Sequence, residues 1–328
     1  MSNCSEEFPY TSILYPELDN NTSVIVIGVL ALILLVLTLV IYAEELWFMC
    51  RVNSLTPNRN LVIFILTLFP VLSLCCVIGL LVPRSTILME FITSTLRGIS
   101  ILVYLMILIG YFDNEDKLLV EMSDSPFSFR SPPCCCCCIC IHGSPITRKT
   151  LRIIKVLCIQ LAAIRPFTML ILVLLWVDNK YELTDTMSTS NPGTFFQFIN
   201  IASLLLAMWG AIAMTTATEK RLPESRIRAK FLSVQLTMVF SDAQKALLTL
   251  LASRDVIACV DTRGPLVQAY RYHYALLVLE TFLLSLLARY AYRFQDPPYQ
   301  YDELGKEKSE MGSIKTSETD LRNYNTNA

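Results

Sequence analysis

The sequence predicts an all-α integral membrane protein with seven transmembrane helices. Apolar residues make up 54% of the 328-residue chain and charged residues only 17%, whereas a soluble protein carries about 25% charged residues. Seven apolar segments approach the ~20 residues that a helix needs to cross a bilayer. They are too long for barrel strands, and in lipid only helices of this kind satisfy their own backbone hydrogen bonds.

The longest connection between the seven predicted spans is the internal loop at residues 113–152. The sixth span contains Asp242 and Lys245 and is the least apolar for that reason. In chain order the predicted spans are Val24–Tyr42, Leu61–Val82, Phe91–Phe112, Ile153–Val177, Phe195–Thr216, Phe231–Leu251 and Tyr274–Tyr290. The membrane domain is therefore expected over residues 24–290, between an N-terminal tail (1–23) and a C-terminal tail (291–328).

The positive charges predict an external N-terminus and a cytosolic C-terminus. With this orientation, seventeen Lys and Arg residues fall in cytosolic segments and five in external ones, as the positive-inside rule requires. Residues 1–23 contain no Lys or Arg and so lack the basic region of a cleaved signal peptide. We therefore expect the first apolar run to remain as a membrane helix. The net charge of -1 also argues against a nucleic-acid partner.

The long cytosolic loop holds a block of cysteines. Neighbouring side chains point in different directions on a strand or a helix, so five adjacent thiols cannot converge on one metal ion. Zinc sites use separated cysteine pairs, and the reducing cytosol opposes disulfides. S-acylation at the inner leaflet is therefore the expected role; loose metal or redox chemistry and a plain apolar loop are the alternatives. The block consists of Cys134, Cys135, Cys136, Cys137, Cys138 and Cys140.

The two tails carry further candidate features. Asn3 begins an Asn-Cys-Ser sequon and is the expected glycosylation site of the external tail. Cys4 and Cys259 both lie on the predicted external side, where an oxidising environment permits a disulfide between them. Residues 291–328 are charged and poor in apolar residues, which predicts a disordered cytosolic tail.

Ionisable residues recur on single faces of the third and sixth predicted spans. A charge near the bilayer centre costs at least about 2.5–3.5 kcal/mol on insertion scales, so each one needs a partner or a wet cavity. Gln235, Asp242 and Lys245 share one face of the sixth span, and the last two are close enough to neutralise each other. In the third span Arg97 lies seven residues after Glu90, which is placed at the outer rim.

The fourth and seventh spans add an arginine and a glutamate. Arg165 lies near the middle of the fourth span, and Pro166 behind it removes a backbone donor and loosens the helix. Glu280 follows His273 by seven residues on the seventh span. Because no acid lies within one turn of Arg165 on its own span, its counter-charge must come from another helix or from a ligand.

These residues allow two interpretations. In the first they form buried ion pairs that only hold the bundle together, with Arg165 paired to one of the two acids. In the second they line a polar cleft in which three bases face two acids. That slight positive excess suits a ligand with an apolar body and one anionic group, attracted chiefly by Arg165 while the acids hold the bases in place. The expected substrate-binding residues are Arg165, Arg97, Lys245, Asp242, Glu280 and Gln235.

Neither an enzyme nor a common seven-helix receptor is expected. The chain has only two histidines, His142 and His273, which the orientation places on opposite sides of the membrane. No HExxH motif, GxSxG motif or phosphate-binding glycine loop occurs, so no metal or cofactor is predicted. The third span ends in Ile-Gly-Tyr-Phe at residues 109–112 instead of Asp-Arg-Tyr. The seventh span has no Asn-Pro-x-x-Tyr kink and no Lys for a retinal Schiff base.

Several stretches resemble the alpha subunits of the heteromeric organic solute transporter. The likeness covers nearly the whole membrane region, and the cysteine block and a Leu-Glu-Thr-Phe stretch are its specific parts. Asp242, Lys245 and Arg165 match no motif of this family. The stretches that carry the resemblance are Val82–Glu90 with Thr93-Ser94, Pro133–Cys140 with Arg148-Lys149, Ala229–Phe231, and Leu277–Leu283 with Arg289 and Tyr292.

The resemblance implies facilitated, bidirectional transport of bile acids, conjugated steroids and related organic anions, with no ion coupling and no nucleotide. It also implies an obligatory single-span beta subunit as partner and a place among the lipids of the basolateral plasma membrane. A seven-span receptor-like or lipid-handling protein without transport activity is the alternative.

Overall fold

The structure confirms an all-α fold with seven long helices in its described residues. It is a computed structural model that describes residues 8–12, 22–51, 58–123, 146–178, 180–181, 192–222, 225–254, 256–260 and 263–293. A 3₁₀ turn (Pro83–Ser85) precedes the third long helix, and a short helix (Glu115–Glu121) follows it. The long helices are α1 (Thr22–Arg51), α2 (Arg59–Leu81), α3 (Thr86–Gly110), α4 (Arg148–Val177), α5 (Pro192–Arg221), α6 (Ile227–Ser253) and α7 (Pro265–Tyr292).

Six of these helices, all except α6, are long and apolar enough to cross a membrane. The sixth is 27 residues long, but it carries Arg228, Lys230, Asp242 and Lys245, and these charges lower its hydropathy. The membrane crossing of α6, the count of seven spans and the external N-terminus therefore stay predictions.

The helices extend beyond the predicted spans at their more polar ends. The first helix continues nine residues past Tyr42 to Arg51, and α7 begins nine residues before its predicted span. A helix can continue through polar residues, so its ends are not fixed by the ends of the apolar segment. The predicted loop at 113–152 likewise contains the short helix and the first turn of α4. That turn is capped by Thr147, whose hydroxyl accepts a hydrogen bond from the backbone N–H of Thr150 at 3.3 Å.

The third helix lies at the centre of the bundle. It packs against α2, α4, α5 and α6, while α7 packs against α1, α2 and α6. In their most apolar stretches 61% of the residues of α2 and α3 are buried, but only 22% of those of α1. The first helix is therefore peripheral, and its apolar side chains, such as Val36 and Val40, face outwards. This packing turns the polar faces of α3, α4 and α6 towards one another.

A glycine lets α3 and α4 approach each other closely beside Arg165. A Cβ atom at Gly98 would lie 3.3 Å from the carbonyl oxygen of Leu161 and 3.5 Å from the Cβ of Arg165. The fourth helix passes through Pro166 without interruption. Gly98 therefore permits the close contact between the two helices at Arg165.

We expect the substitution Gly98→Leu to destabilise the protein by about 1–3 kcal/mol, as overpacking of a tight contact does. Gly98→Ala is expected to cost less, because only one carbon must be accommodated. Thermal unfolding of the detergent-purified protein measures both. Gly28 on α1 is the matched control, since nothing lies within 4 Å of a Cβ atom built there. Equal melting temperatures for Gly98→Leu and Gly28→Leu would contradict the tight contact.

Several predictions fall outside the described residues. They are the glycosylation of Asn3, the acylation of the cysteine block and the disorder of the C-terminal tail beyond residue 293. Cys259 is disulfide-bonded, as the predicted external disulfide requires, but Cys4 also lies outside the described residues. The chain divides into a unit of residues 1–294 and a unit of residues 295–328, and the fold described above belongs to the first.

Candidate functional site

A cavity of about 930 Å³, counting its open mouth, lies between α3, α4, α5 and α6. We call it the outer cavity, because it occupies the half of the bundle that the predicted orientation places on the external side. Its wall is formed by Ile87, Glu90, Ser94, Arg97, Arg165, Met169, Leu172, Tyr181, Gly193, Gln197, Asn200, Ile201, Asp242, Lys245 and Tyr270.

Arg165 and Asp242 form an ion pair across the cavity wall between α4 and α6. Arg165 Nη2 contacts Asp242 Oδ2, and Nη1 donates to Oδ1 at 3.4 Å. The side chain of Arg165 is only 3% exposed and that of Asp242 is 31% exposed. The counter-charge of Arg165 thus comes from another helix, and Asp242 pairs with it instead of with Lys245, its neighbour on α6.

Lys245 pairs with Glu90 of α3. Its Nζ atom lies 3.0 Å from Glu90 Oε2 and 5.4 Å from the centre of the Tyr270 ring. The second carboxylate oxygen of Glu90 is 3.8 Å from Nε2 of His273 on α7. Glu90 was predicted at the outer rim and was not counted among the inward-facing charges, but its side chain is buried in the wall of the cavity. A seven-residue repeat identifies a helix face but not its depth.

Arg97 is the third base in the wall and is paired differently. Its side chain is buried, and Nη1 donates to the hydroxyl of Ser241 on α6. The Nε atom has no hydrogen-bond partner among the described residues. Within those residues no carboxylate lies within 4.0 Å of its guanidinium, whereas Arg165 and Lys245 each have one. Arg97 is therefore the base of this wall that retains capacity for an anion.

The charges of the outer cavity give a positive excess of one. Its bases are Arg97, Arg165 and Lys245, and its acids are Glu90 and Asp242. The sequence predicted the same excess, but with Glu280 as the second acid. In a poorly hydrated site such an excess attracts one anionic group strongly.

Glu280 lines a second, smaller cavity, of about 270 Å³ when its open mouth is counted, which we call the inner cavity. It accepts a hydrogen bond from Nε2 of Gln244, and Arg97 lines this cavity as well. Gln235 is buried on α6, and its amide atoms have no hydrogen-bond partner among the described residues. It is absent from the walls of both cavities. Four of the six predicted residues therefore meet in the outer cavity.

The polar wall supplied by α5 was missed in the sequence. Gln197 and Asn200 are three residues apart, and this spacing places both on one helix face. Two amide side chains on one face of an otherwise apolar helix could have indicated a polar wall from the sequence alone. The Asn200 amide oxygen accepts a hydrogen bond from the Thr168 hydroxyl at 3.0 Å.

Tyr181, which precedes α5 in the chain, also lines the outer cavity. Burial raises the pKa of Tyr181 above its usual range, so its hydroxyl stays protonated and can donate to a ligand.

The described residues contain no group of three or more His, Cys, Asp or Glu side chains that could hold a metal ion. The polar groups of the outer cavity are instead suited to hydrogen bonds and charge pairing. Its wall combines such groups with aliphatic and aromatic surface, as in sites for amphipathic small molecules.

Comparison with known proteins identifies similar chains over most of this length. The protein family described as organic solute transporter Ostalpha matches residues 27–299. The organic solute transporter subunit alpha of Danio rerio is 26% identical over 313 residues, 95% of each chain. The Homo sapiens protein of the same name is 27% identical over 81% of this chain and 78% of its own. An organic solute transporter alpha-like protein of Drosophila melanogaster is 24% identical over 75% of this chain and 73% of its own. No solved structure matches the chain.

Proposed function

The chain belongs to the organic solute transporter Ostalpha family of membrane solute transporters, and we propose that its cargo is amphipathic organic anions. Bile acids and conjugated steroids are the expected members of this class. The proposed mode is facilitated and bidirectional, with no ion coupling, and the chain acts as the alpha subunit of a heteromer in the basolateral plasma membrane.

The observation that carries this proposal is the pairing of charges in the outer cavity. A buried guanidinium without a carboxylate is costly, and an incoming carboxylate or sulfate removes that cost. Arg97 is in this state among the described residues, with a neutral hydroxyl as its recorded partner. The planar guanidinium also matches the geometry of carboxylate and sulfate oxygens. We assign Arg97 as the primary anion-binding residue.

The remaining predicted residues of the outer cavity support this role. Arg165 and Lys245 already have carboxylate partners, so they add positive potential and keep their acids in place. Asp242 and Glu90 hold these two bases at a fixed distance from Arg97. The apolar part of the wall, with Met169 and Leu172 of α4, offers surface to a steroid-like body, whose burial contributes about 25 cal/mol per Å².

Transport can be tested directly in cells that express the chain with and without a single-span beta subunit. We expect saturable uptake and efflux of labelled taurocholate or a steroid sulfate only when both subunits are present. Removal of Na⁺ and collapse of the proton gradient are expected to leave the rates unchanged. The absence of anion movement in cells that display both subunits at the surface would favour the receptor-like or lipid-handling alternative.

A partner-independent result would separate the two parts of the proposal. Full-rate transport by the chain alone would contradict the heteromer but retain the substrate class.

Surface labelling of polarised cells tests the basolateral location in the same experiment. Enzymatic deglycosylation of the wild type and of Asn3→Gln tests the sequon of the external tail.

We also propose that the cysteines at 134–138 and 140 are S-acylated. One saturated chain anchors only weakly, and each further buried methylene adds about 0.8 kcal/mol, so several chains would hold the loop firmly at the inner leaflet. Acyl exchange followed by mass tagging is expected to label several of the six cysteines. Replacement of all six by serine is the control that must abolish the label, and six free thiols in the wild type would contradict the proposal.

A further inference from the structure

The inner cavity lies deeper in the bundle than the outer cavity. Its walls come from the middle parts of α2, α3, α6 and α7, and the apolar part of its lining includes Leu72, Leu277 and Leu284. Three threonines add hydroxyl groups, and Glu280 adds a carboxylate about halfway along α7. The space has room for about one water molecule, so it does not hold a substrate, but it brings a carboxylate and the guanidinium of Arg97 into one wall.

Among the described residues, Arg97 is the one that lines both cavities. Its recorded side-chain hydrogen bond goes to the neutral hydroxyl of Ser241, although a guanidinium carries five donors. A single bond to a neutral group is exchanged more readily than a bidentate bond to a carboxylate. Arg97 is therefore less firmly held than Arg165, whose two terminal nitrogens both contact Asp242.

Glu280 is the acid of the inner cavity and has no basic partner among the described residues. Its recorded bond comes from the amide of Gln244, and its second carboxylate oxygen is buried without a hydrogen-bond partner. No described Lys, Arg or His nitrogen lies within 4.0 Å of it, and Arg97 stands in the wall of the same small cavity. A carboxylate at this depth gains much from a cation.

We propose that Glu280 competes with the substrate's anionic group for Arg97 across the inner cavity, which both side chains line, and that this exchange releases the substrate from the outer cavity. A site that binds an anion through a buried cation must also release it. An internal carboxylate that competes for the same guanidinium supplies the release, because it replaces the lost contact and repels the departing anion. Glu280 is thus a residue for release and not for capture.

This inference rests on the proposed anion transport, and initial rates of uptake as a function of substrate concentration test it. In the complete heteromer, Glu280→Gln is expected to lower the maximal rate per surface molecule by about tenfold, with KM unchanged or lowered. Glu280→Asp, which keeps the charge, is expected to restore most of the rate. Labelled taurocholate bound to the purified Glu280→Gln heteromer is expected to be retained as tightly as by the wild type, or more tightly.

The matched control is Glu44→Gln, which removes a carboxylate that pairs with Arg289 and Arg293 away from both cavities. It is expected to leave the ratio of maximal rate to KM near that of the wild type. A Glu280→Gln protein with an unchanged maximal rate, or with a raised KM alone, would overturn the exchange while leaving anion transport intact. A wild-type heteromer that moves no anion would instead refute the proposed function itself.

Discussion

Arg97→Gln is expected to lower the uptake of anionic substrates by at least about tenfold at low concentration, because a charge-assisted hydrogen bond contributes about 1.5–3 kcal/mol. The reason is its pairing: Arg97 lines the outer cavity with a serine hydroxyl as its recorded partner. Arg97→Lys is expected to retain part of the uptake, since the charge remains but the planar fork is lost. Labelled steroid sulfate uptake, normalised to surface abundance, measures both effects.

Two controls make this result specific. The uncharged parent steroid is expected to enter cells that express the wild type and cells that express Arg97→Gln at the same rate, because it has no anionic group for Arg97 to bind. Arg228→Gln removes a base that is 73% exposed and pairs with Glu219, and it is expected to transport like the wild type. Normal uptake of the sulfate by a well-expressed Arg97→Gln protein would contradict the assignment of Arg97.

Asp242→Asn is expected to reduce the amount of folded protein at the cell surface severely. It leaves the Arg165 guanidinium, 3% exposed, without its counter-charge, and breaking a buried pair from one side costs about 3–5 kcal/mol. The lower end applies here, since the Asp242 side chain is 31% exposed. Surface biotinylation and thermal unfolding measure the loss.

The double variant Arg165→Gln with Asp242→Asn separates support from binding. Removing both charges leaves no unpaired ion, so surface abundance is expected to recover to near the wild-type level. Anion uptake by the rescued protein then reports what Arg165 contributes to the site, and a moderate loss is expected because Arg97 remains. Failure of the double variant to recover would contradict a simple charge pair and would point to a structural role for the hydrogen bonds of this arginine.

The helix faces could be predicted from the sequence because helical spacing is local. Asp242 and Lys245 are three residues apart, and both line the outer cavity. Arg97 and Arg165 also face inwards, as a charge in an apolar span must. The energetic cost of exposing a charge to lipid therefore fixes the direction of a side chain even when nothing is known of its neighbours.

The partners of these residues could not be predicted, because they depend on how the helices pack. The local choice for Asp242 was Lys245 on the same helix, yet each pairs with another helix instead. Glu280 was assigned to the same cleft as Arg165, but α7 carries it into the wall of the inner cavity. Rotation of one helix by a fraction of a turn decides such pairings, and no sequence spacing reports that rotation.

The low hydropathy of α6 has a consequence for how the protein is made. Within the bundle, Asp242 of α6 pairs with Arg165 of α4, and Lys245 of α6 pairs with Glu90 of α3. Both partners precede α6 in the chain and leave the ribosome before it. The predicted crossing of α6 therefore requires the translocation machinery to integrate a segment whose two charges pair with helices that were made earlier. We expect α3 and α4, which are made first, to supply the counter-charges that let α6 insert.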